Sequence, residues 1–210
     1  MQCETDATQI EEILSFWFGP LKSEKKWDKD KAKVWFSSTE SHDQKIGELF
    51  EELVDQASCS KLKSWESEPR GRLALILLLD QFPRNIYRGT EGAYRFDPLS
   101  LMLTVEGIAR GDDRLLFPIQ RHFFYLPLMH AESLEHQLLS LFLFDALARE
   151  VDEEIKGHFI EANNYAKEHF EVIKKFGRFP HRNAVLNRRS SEEEESYLSR
   201  SPATYGQSKK

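Results

Sequence analysis

Residues able to do acid–base or anion-binding chemistry are concentrated in three segments of this chain. They are the run Gln-Phe-Pro-Arg-Asn at 81–85, an aromatic stretch at 121–132, and the run Phe-Pro-His-Arg-Asn at 179–183. In the first and third segments, Arg and Asn come just after a proline that is expected to end a helix. Charged groups embedded among aromatic residues and prolines cost free energy to desolvate. The three segments therefore suggest one constructed site.

Asp80 directly precedes the first segment and follows seven apolar residues. We place it in the last turn of a helix, where the helix dipole disfavours a carboxylate. Burial without a partner would cost several kcal/mol more, so an arginine should compensate its charge. The candidate partners are Arg84, Arg121, Arg178 and Arg182. Such a pair could be a purely structural bridge or part of a site, and the sequence favours neither.

The aromatic stretch offers both a ligand contact and a candidate acid or base. Arg121 and Tyr125 are four residues apart, so they share one helical face if the helix continues that far. His130 follows that helix and stands near Glu132, a carboxylate that could orient the imidazole for proton transfer. A histidine that only bonds a backbone carbonyl at a helix end is the structural alternative.

The third segment lies in a basic region of an otherwise acidic chain. Residues 174–189 contain six Lys or Arg, one His and no acidic residue, whereas the whole chain has a net charge of −6. This region either neutralises Asp80 and Glu132 across a helix interface or binds an anion. Arg178 and Arg182 flank the rigid Phe-Pro turn, and Asn183 follows it. His181 is the second candidate acid or base.

Several classes of function find no support in the sequence. The seven histidines and two cysteines form no metal-binding motif, and no glycine-rich phosphate loop or nucleophile elbow occurs, so we expect no metal site and no cofactor. The negative charge argues against nucleic-acid binding. The longest apolar run, 73–79, is too short to span a membrane, and the N-terminus lacks a signal-peptide pattern. Two cysteines suit a reducing compartment, so we predict a cytoplasmic protein.

Helical periodicity dominates the elements that must position these residues. Apolar residues recur three and four positions apart along most of the chain, and no useful strand pattern appears. We predict an all-α fold of about eight or nine helices, packed as antiparallel pairs in one domain over residues 1–198. The polar stretch 199–210 is expected to be a disordered tail.

Proline, glycine and capping residues mark the expected helix ends. The wholly apolar central helix should end before Pro83, Asp97 should cap the next helix, and Pro118 should begin a short helix through Phe124. Ser133 should cap a longer helix, and Ser191 with Glu194 has the spacing of a capping box. Gly111 and Gly177 should end two helices in the left-handed conformation.

Four ordered motifs resemble the family catalogued as "domain of unknown function 924". They are Leu-x-Phe-Trp-Phe-Gly at 14–19 and the segments 72–90, 123–132 and 176–183. The resemblance covers about residues 10–198 and implies an all-α fold similar to tetratricopeptide-repeat proteins, without an established activity.

The sequence departs from the family pattern in two places. Asn187 stands where the family usually has glycine, and a left-handed turn should survive there because Asn tolerates that conformation. Residues 91–96 are bulkier than in the family, which would alter ligand preference if that loop borders a pocket.

Three hypotheses follow for function, and oligomeric state is left open. The first is binding of a small carboxylate or phosphate, with eight candidate contacts: Asp80, Arg84, Arg121, Tyr125, Glu132, Arg178, Arg182 and Asn183. The second is an enzyme that uses His130 or His181 as general acid or base on such a ligand. The third is a helical scaffold that binds a protein segment, with the motifs purely structural.

Overall fold

The described chain is built of helices joined by short turns. The computed structural model describes residues 2–21, 23, 27, 29–35 and 39–200. Its α-helices are α1 (Gln2–Phe18), α2 (Lys29–Trp35), α3 (Glu40–Ser58), α4 (Pro69–Ile76), α5 (Phe82–Ile86), α6 (Asp97–Arg110), α7 (Pro118–His130), α8 (Leu134–Glu150), α9 (Lys156–Phe176) and α10 (Glu192–Arg200). No strand occurs among these residues, which confirms the all-α prediction. The first two residues of the predicted tail belong to α10, and 201–210 lie outside the described residues.

The core centres on α4, as its all-round apolar sequence predicts. Each residue from Leu73 to Leu79 is buried, and α4 packs against α1, α6 and α7. An aromatic cluster lies at its end, where the ring of Phe123 contacts both Trp17 and Phe18 in edge-to-face geometry. The consecutive helices α7, α8 and α9 pack side by side through short connections. None of the described helices combines the length and the apolar character needed to cross a bilayer.

The expected helix end before Pro83 is wrong. A π-helical turn, Leu77–Gln81, joins α4 to α5 into one continuous helix, and the amide of Phe82 bonds the carbonyl of Leu77 five residues back. This wider turn accommodates the proline ring and the missing amide, which a regular α-helix would not. Asp80 is therefore in the middle of a continuous helix. Isolated π-turns of this kind occur frequently at functional sites.

The short helix predicted from Pro118 is also longer than expected. The helix α7 continues through Pro127, and its last residue is His130. In the turn that the proline disturbs, the hydroxyl of Thr104 donates a hydrogen bond to the carbonyl of Phe124 at 3.0 Å. The proline itself removes the amide that would bond the carbonyl of Phe123, so the Thr104 bond is made to the carbonyl next to it.

The left-handed helix ends are confirmed. Gly111 and Gly177 have φ values of +79° and +70°. Asn187 has a φ of +52°, so the turn survives without the family's glycine, as the sequence predicts.

Two of the three predicted caps are wrong in detail. Asp97 is the first residue of α6 rather than its cap, and Ser133 stands at the cap position of α8 without bonding a backbone amide. The capping box at the start of α10 is confirmed: Ser191 and Glu194 exchange hydrogen bonds of 2.7 and 3.2 Å. Asp97 and Ser133 both line a cavity instead.

Candidate functional site

An open cavity of about 850 Å³ lies where α6, α7 and α8 begin or end. Its polar wall includes Tyr94, Asp97, His130, Glu132, His136 and Arg182. Its apolar wall includes Phe96, Pro98, Leu101, Pro127 and Leu186. The second and third predicted segments both contribute side chains to this wall, and residues of the first lie directly behind it.

A buried carboxylate holds the imidazole of His130 in the cavity wall. Asp80 is fully buried, and its Oδ1 lies 2.8 Å from Nδ1 of His130 and 3.2 Å from Nη1 of Arg84. Gln81 also donates a side-chain hydrogen bond to Asp80. The predicted pairing of Asp80 with an arginine is present in the structure, and Asp80, within the π-turn, contacts the last residue of α7.

The charges around His130 favour its neutral form. Burial lowers the pKa of His130, Arg84 lowers it further, and Asp80 opposes both without reversing the shift. Burial alone would raise the pKa of Asp80, but Arg84 and His130 outweigh it and lower that pKa. Because ionised Asp80 can only accept, Nδ1 of the neutral imidazole carries the proton. Nε2 then has its lone pair free, and it makes no hydrogen bond to the described residues.

Asp97 joins two arginines across the inner wall. Nη2 of Arg84 lies 2.9 Å from Oδ1 and 3.1 Å from Oδ2 of Asp97, and Nη1 of Arg182 lies 3.3 Å from Oδ2. The guanidinium of Arg182 stacks between two rings, 4.6 Å from the centroid of Tyr94 and 4.5 Å from that of Phe179.

Arg182 is incompletely compensated. Its side chain is 7% exposed, and its Nε has no hydrogen-bond partner in the described part of the chain. Burial lowers the pKa of Arg182; Asp97 raises it, and Arg84 lowers it again. The lowered pKa means that this environment stabilises the positive charge less well than water does.

Glu132, by contrast, is fully engaged. Its carboxylate accepts two hydrogen bonds from Arg188, at 2.6 and 2.9 Å, and one from the amide of Phe179 at 2.7 Å. Burial would raise the pKa of Glu132, but these donors outweigh it and lower that pKa. The residue ties the α7–α8 connection to the Phe-Pro turn of the third segment.

The start of α8 is held next to the end of α7. The amide group of Gln137 donates to the carbonyls of Met129 and Ala131 at 2.6 and 2.9 Å. Ser133 Oγ lies 2.9 Å from Nδ1 of His136, and both residues line the cavity. These bonds fix His130 and Ser133 relative to each other.

Six of the eight predicted contact residues lie outside the cavity wall: Asp80 and Arg84 are behind it, and the other four belong to two structural clusters. In the first, Arg121 donates to Tyr125 at 3.2 Å and to Glu150 at 2.7 Å, and the Tyr125 hydroxyl donates to Asp113 at 2.6 Å. These bonds link α7 to α8 and to the turn before α7.

The second cluster anchors α10 and the chain before it. Arg178 binds Glu194 through two hydrogen bonds of 2.6 and 2.7 Å, and Asn183 donates to Ser190 at 3.0 Å. His181 is also absent from the cavity wall; its ring packs against Phe179, and burial followed by Arg182 lowers its pKa to about 3.

Sequence reasoning missed Tyr94, Asp97 and His136 as site residues. One sequence feature pointed to Tyr94: the loop 91–96, whose bulky residues were expected to alter ligand preference, borders the cavity. The position of Asp97 before a proline predicts a helix cap, and that prediction gave no reason to expect a site residue there. Among the described residues, no group of three or more His, Cys, Asp or Glu could hold a metal ion.

Comparisons with known proteins agree with the fold and are silent on activity. A family model described as "Bacterial protein of unknown function (DUF924)" matches residues 13–202. The chain is similar to a solved structure titled "Structure of Protein of Unknown Function ATU0120 from Agrobacterium tumefaciens", with 33% identity and a TM-score of 0.79. That match covers 93% of this chain and 99% of the other. No curated protein gives a significant match. The family model spans most of the chain, which therefore belongs to the DUF924 family.

Proposed function

We propose that the cavity binds a small organic anion, with Arg182 as its principal contact. The observation that carries this proposal is the environment of Arg182: a buried guanidinium in a cavity wall that shares the Asp97 carboxylate with Arg84. A ligand carboxylate or phosphate would accept charge-assisted hydrogen bonds from the part of this guanidinium that borders the cavity.

The charge balance around Arg182 and His130 fits an anion that arrives together with a proton. Asp97 and Glu132 in the wall and Asp80 behind it face three guanidinium groups, those of Arg84, Arg182 and Arg188. The ligand's negative charge would be unbalanced unless neutral His130 takes up a proton. His130 lines the same cavity, so anion binding should raise its pKa.

The rest of the cavity favours an organic body on this anion. A volume of about 850 Å³ is in the range of ligand pockets and far larger than an inorganic ion needs. Phe96, Leu101 and Leu186 form apolar walls for such a body. Asp55 and Glu91 lie in the wall without an ion pair to any described residue, so the end of the ligand near them should be neutral or cationic.

Thermal unfolding with added anions tests the binding proposal. Phosphate, sulfate and succinate at millimolar concentration should raise the melting temperature of the parent by mass action, relative to chloride at equal ionic strength. The rise should disappear in Arg182→Met. Arg121→Met is the matched control, because Arg121 is also part-buried and ion-paired but lies outside the cavity. Equal responses in both variants would refute the proposal.

The Asp80–His130 pair supports a second candidate, an enzyme that uses His130 as general base. A buried carboxylate at 2.8 Å orients the ring, and Nε2 has its lone pair free in a ligand-sized cavity. His181 is less suited to the role because it does not line this cavity. Any compound that binds should then be converted by the parent and retained unchanged by His130→Gln. NMR can follow whether a bound compound changes with time. If it stays unaltered in the parent protein, the enzyme candidate is refuted and only the binding function remains.

The scaffold hypothesis accounts for only part of the motif residues. The ion pairs of Arg121 and Arg178 are structural, as that hypothesis expects, but the residues around Arg182 border open space.

We retain a cytoplasmic location as a proposal; Cys59 is a free, exposed thiol, which suits a reducing compartment.

A further inference from the structure

The first turn of α8 presents uncapped backbone amides beside the cavity. Ser133 occupies the cap position, but its Oγ bonds His136 instead of an amide. The amides of residues 134–136 consequently find no acceptor among the described residues, since the first helical bond is from Gln137 to the Ser133 carbonyl. Backbone donors at the start of this 17-residue helix are thus left without acceptors next to the cavity.

A second, independent donor lines the same cavity. Arg182 borders it with a guanidinium that shares Asp97 with Arg84 and lies 4.5 Å over the ring of Phe179. The amide of Phe179 in turn binds Glu132, the residue directly before Ser133. The arginine and the start of α8 are therefore held in one region of the wall by a short chain of contacts.

We infer that the anion of the proposed ligand is a phosphate monoester, bound between Arg182 and the first turn of α8. This inference rests on the proposed function and narrows its ligand class. A carboxylate has two oxygens, which one guanidinium fork already satisfies. A phosphate has additional oxygens and up to two negative charges, which suit several amides and a helix dipole together. The organic part of the ester lies along the apolar wall at Phe96 and Leu101.

The acidic residues next to Arg182 and the first turn of α8 do not oppose this placement. Glu132 is neutralised by Arg188, and Asp97 by Arg84 and Arg182. Glu135, in the first turn of α8, is exposed to solvent and is not part of the cavity wall.

Calorimetric titration with two probes that share an aromatic body tests the inference. Phenyl phosphate should bind the parent at least about tenfold more tightly than benzoate, because the extra oxygens gain charge-assisted bonds. Sulfate and phosphate ions, without the ring, should bind more weakly than phenyl phosphate.

Two variants remove the α8 contribution while preserving the helix. Ser133→Asp places a carboxylate at the cap, where Asp is favoured, so the unliganded protein should melt no lower than the parent while phenyl phosphate binding falls by about tenfold or more. Leu134→Pro deletes one amide at the first helical position, which tolerates proline, and Ser133 already has the extended backbone that a following proline requires. Glu192→Pro, at the first residue of α10, is the matched control and should leave binding unchanged.

The outcomes separate this inference from the proposed function. Loss of phenyl phosphate binding in Ser133→Asp and Leu134→Pro, with benzoate binding retained, supports the phosphate site. Benzoate binding as tightly as phenyl phosphate, dependent on Arg182 but indifferent to both α8 variants, would overturn the phosphate site and leave anion binding standing. Binding of neither probe, or binding unaffected by Arg182→Met, would overturn both.

Discussion

Asp80 is the residue on which the buried charge network most depends. It is fully buried and contacts both Arg84 and His130. Replacing it by alanine removes one of the carboxylates that compensate the buried Arg84 guanidinium and leaves Asp97 in place. We expect Asp80→Ala to reduce the free energy of unfolding by about 3–5 kcal/mol.

Denaturant midpoints of the Asp80→Ala variant measure this cost. Asp145→Ala is the control, since Asp145 is also ion-paired to an arginine but is solvent-exposed, and should change the free energy by less than about 1 kcal/mol. A near-zero shift for Asp80→Ala would mean that the pair stabilises the fold no more than a surface pair does.

His130 should couple anion binding to proton uptake. Its pKa is lowered in the unliganded protein, and a bound anion would raise it, so affinity should increase as pH falls through the pKa of the liganded state. Sulfate is the suitable probe because its charge is constant over this range. Calorimetry at pH 7.5, 6.5 and 5.5 should show tighter binding at lower pH. His130→Gln should bind sulfate with a flatter pH profile; an unchanged profile would assign the proton to another group.

At the residue scale, the sequence predicts which buried charge needs a partner better than it predicts which side chains lie close together. Burial of Asp80 made an arginine partner a physical necessity, and Arg84 is that partner. Tyr125 was grouped with His130 because they are close in the chain. Five residues on an α-helix correspond to a rotation of about 140° beyond one turn, so the two side chains leave α7 on different faces. Asp97 lies 85 residues from Arg182 in sequence, and no local pattern shows that contact.

At the element scale, local rules correctly predicted the helical class and the helix ends at glycine. They did not correctly predict the helix ends at proline. Gly111, Gly177 and Asn187 adopt the left-handed conformation that local sterics predict. Pro83 and Pro127 lie inside continuous helices because a π-turn and a packed neighbouring helix accommodate them. Such compensation depends on tertiary contacts, which a single helix sequence does not reveal.

The packing of α6 against α4 and α7 depends on Gly107. A methyl group added there would lie 2.5 Å from Cδ of Arg72 and 2.5 Å from Cζ of Phe124, both of which belong to buried side chains. We expect Gly107→Ala to destabilise the protein by about 1–3 kcal/mol through overpacking.

Gly157→Ala provides the opposite case in the same helix-rich fold. An added methyl group in the first turn of α9 meets no atom within 4 Å. Alanine should leave stability unchanged or raise it by up to about 1 kcal/mol, because glycine is a poor helix former. Thermal melts of both variants measure the contrast, and destabilisation of similar size by the two substitutions would contradict the packing argument.

At the scale of the whole molecule, the fold brings together segments that are distant in the chain. The turn after α9 returns to the junction of α7 and α8 through Glu132, and to the start of α6 through Asp97. Helix periodicity predicted the all-α class, and the three segments were expected to form one site. Which of their side chains border open space was not predictable, because that depends on how the helix ends are oriented after packing.

The pH dependence of stability belongs to the whole molecule, because six histidines with a lowered pKa are distributed through it. Burial lowers the pKa of His42, His122, His130, His158, His169 and His181, and the pKa of His169 and of His181 falls to about 3. In the unfolded chain these histidines titrate near pH 6.5. Between that value and the folded pKa the unfolded state binds more protons, so stability is complete above pH 6.5 and is lost as pH falls.

The two histidines with a pKa of about 3 set a lower limit on this loss. Together they should reduce the free energy of unfolding by about 4 kcal/mol between pH 7.5 and pH 5, a large share of the total for a typical domain. Asp80 and Glu132 have lowered pKa values and contribute a further loss only below about pH 4, where carboxylates of the unfolded chain become protonated. Denaturant unfolding from pH 7.5 to 5 measures the slope, which His169→Phe should reduce by about one proton. A stability that is constant over this range would mean that these histidines are protonated, and therefore solvated, in the folded protein.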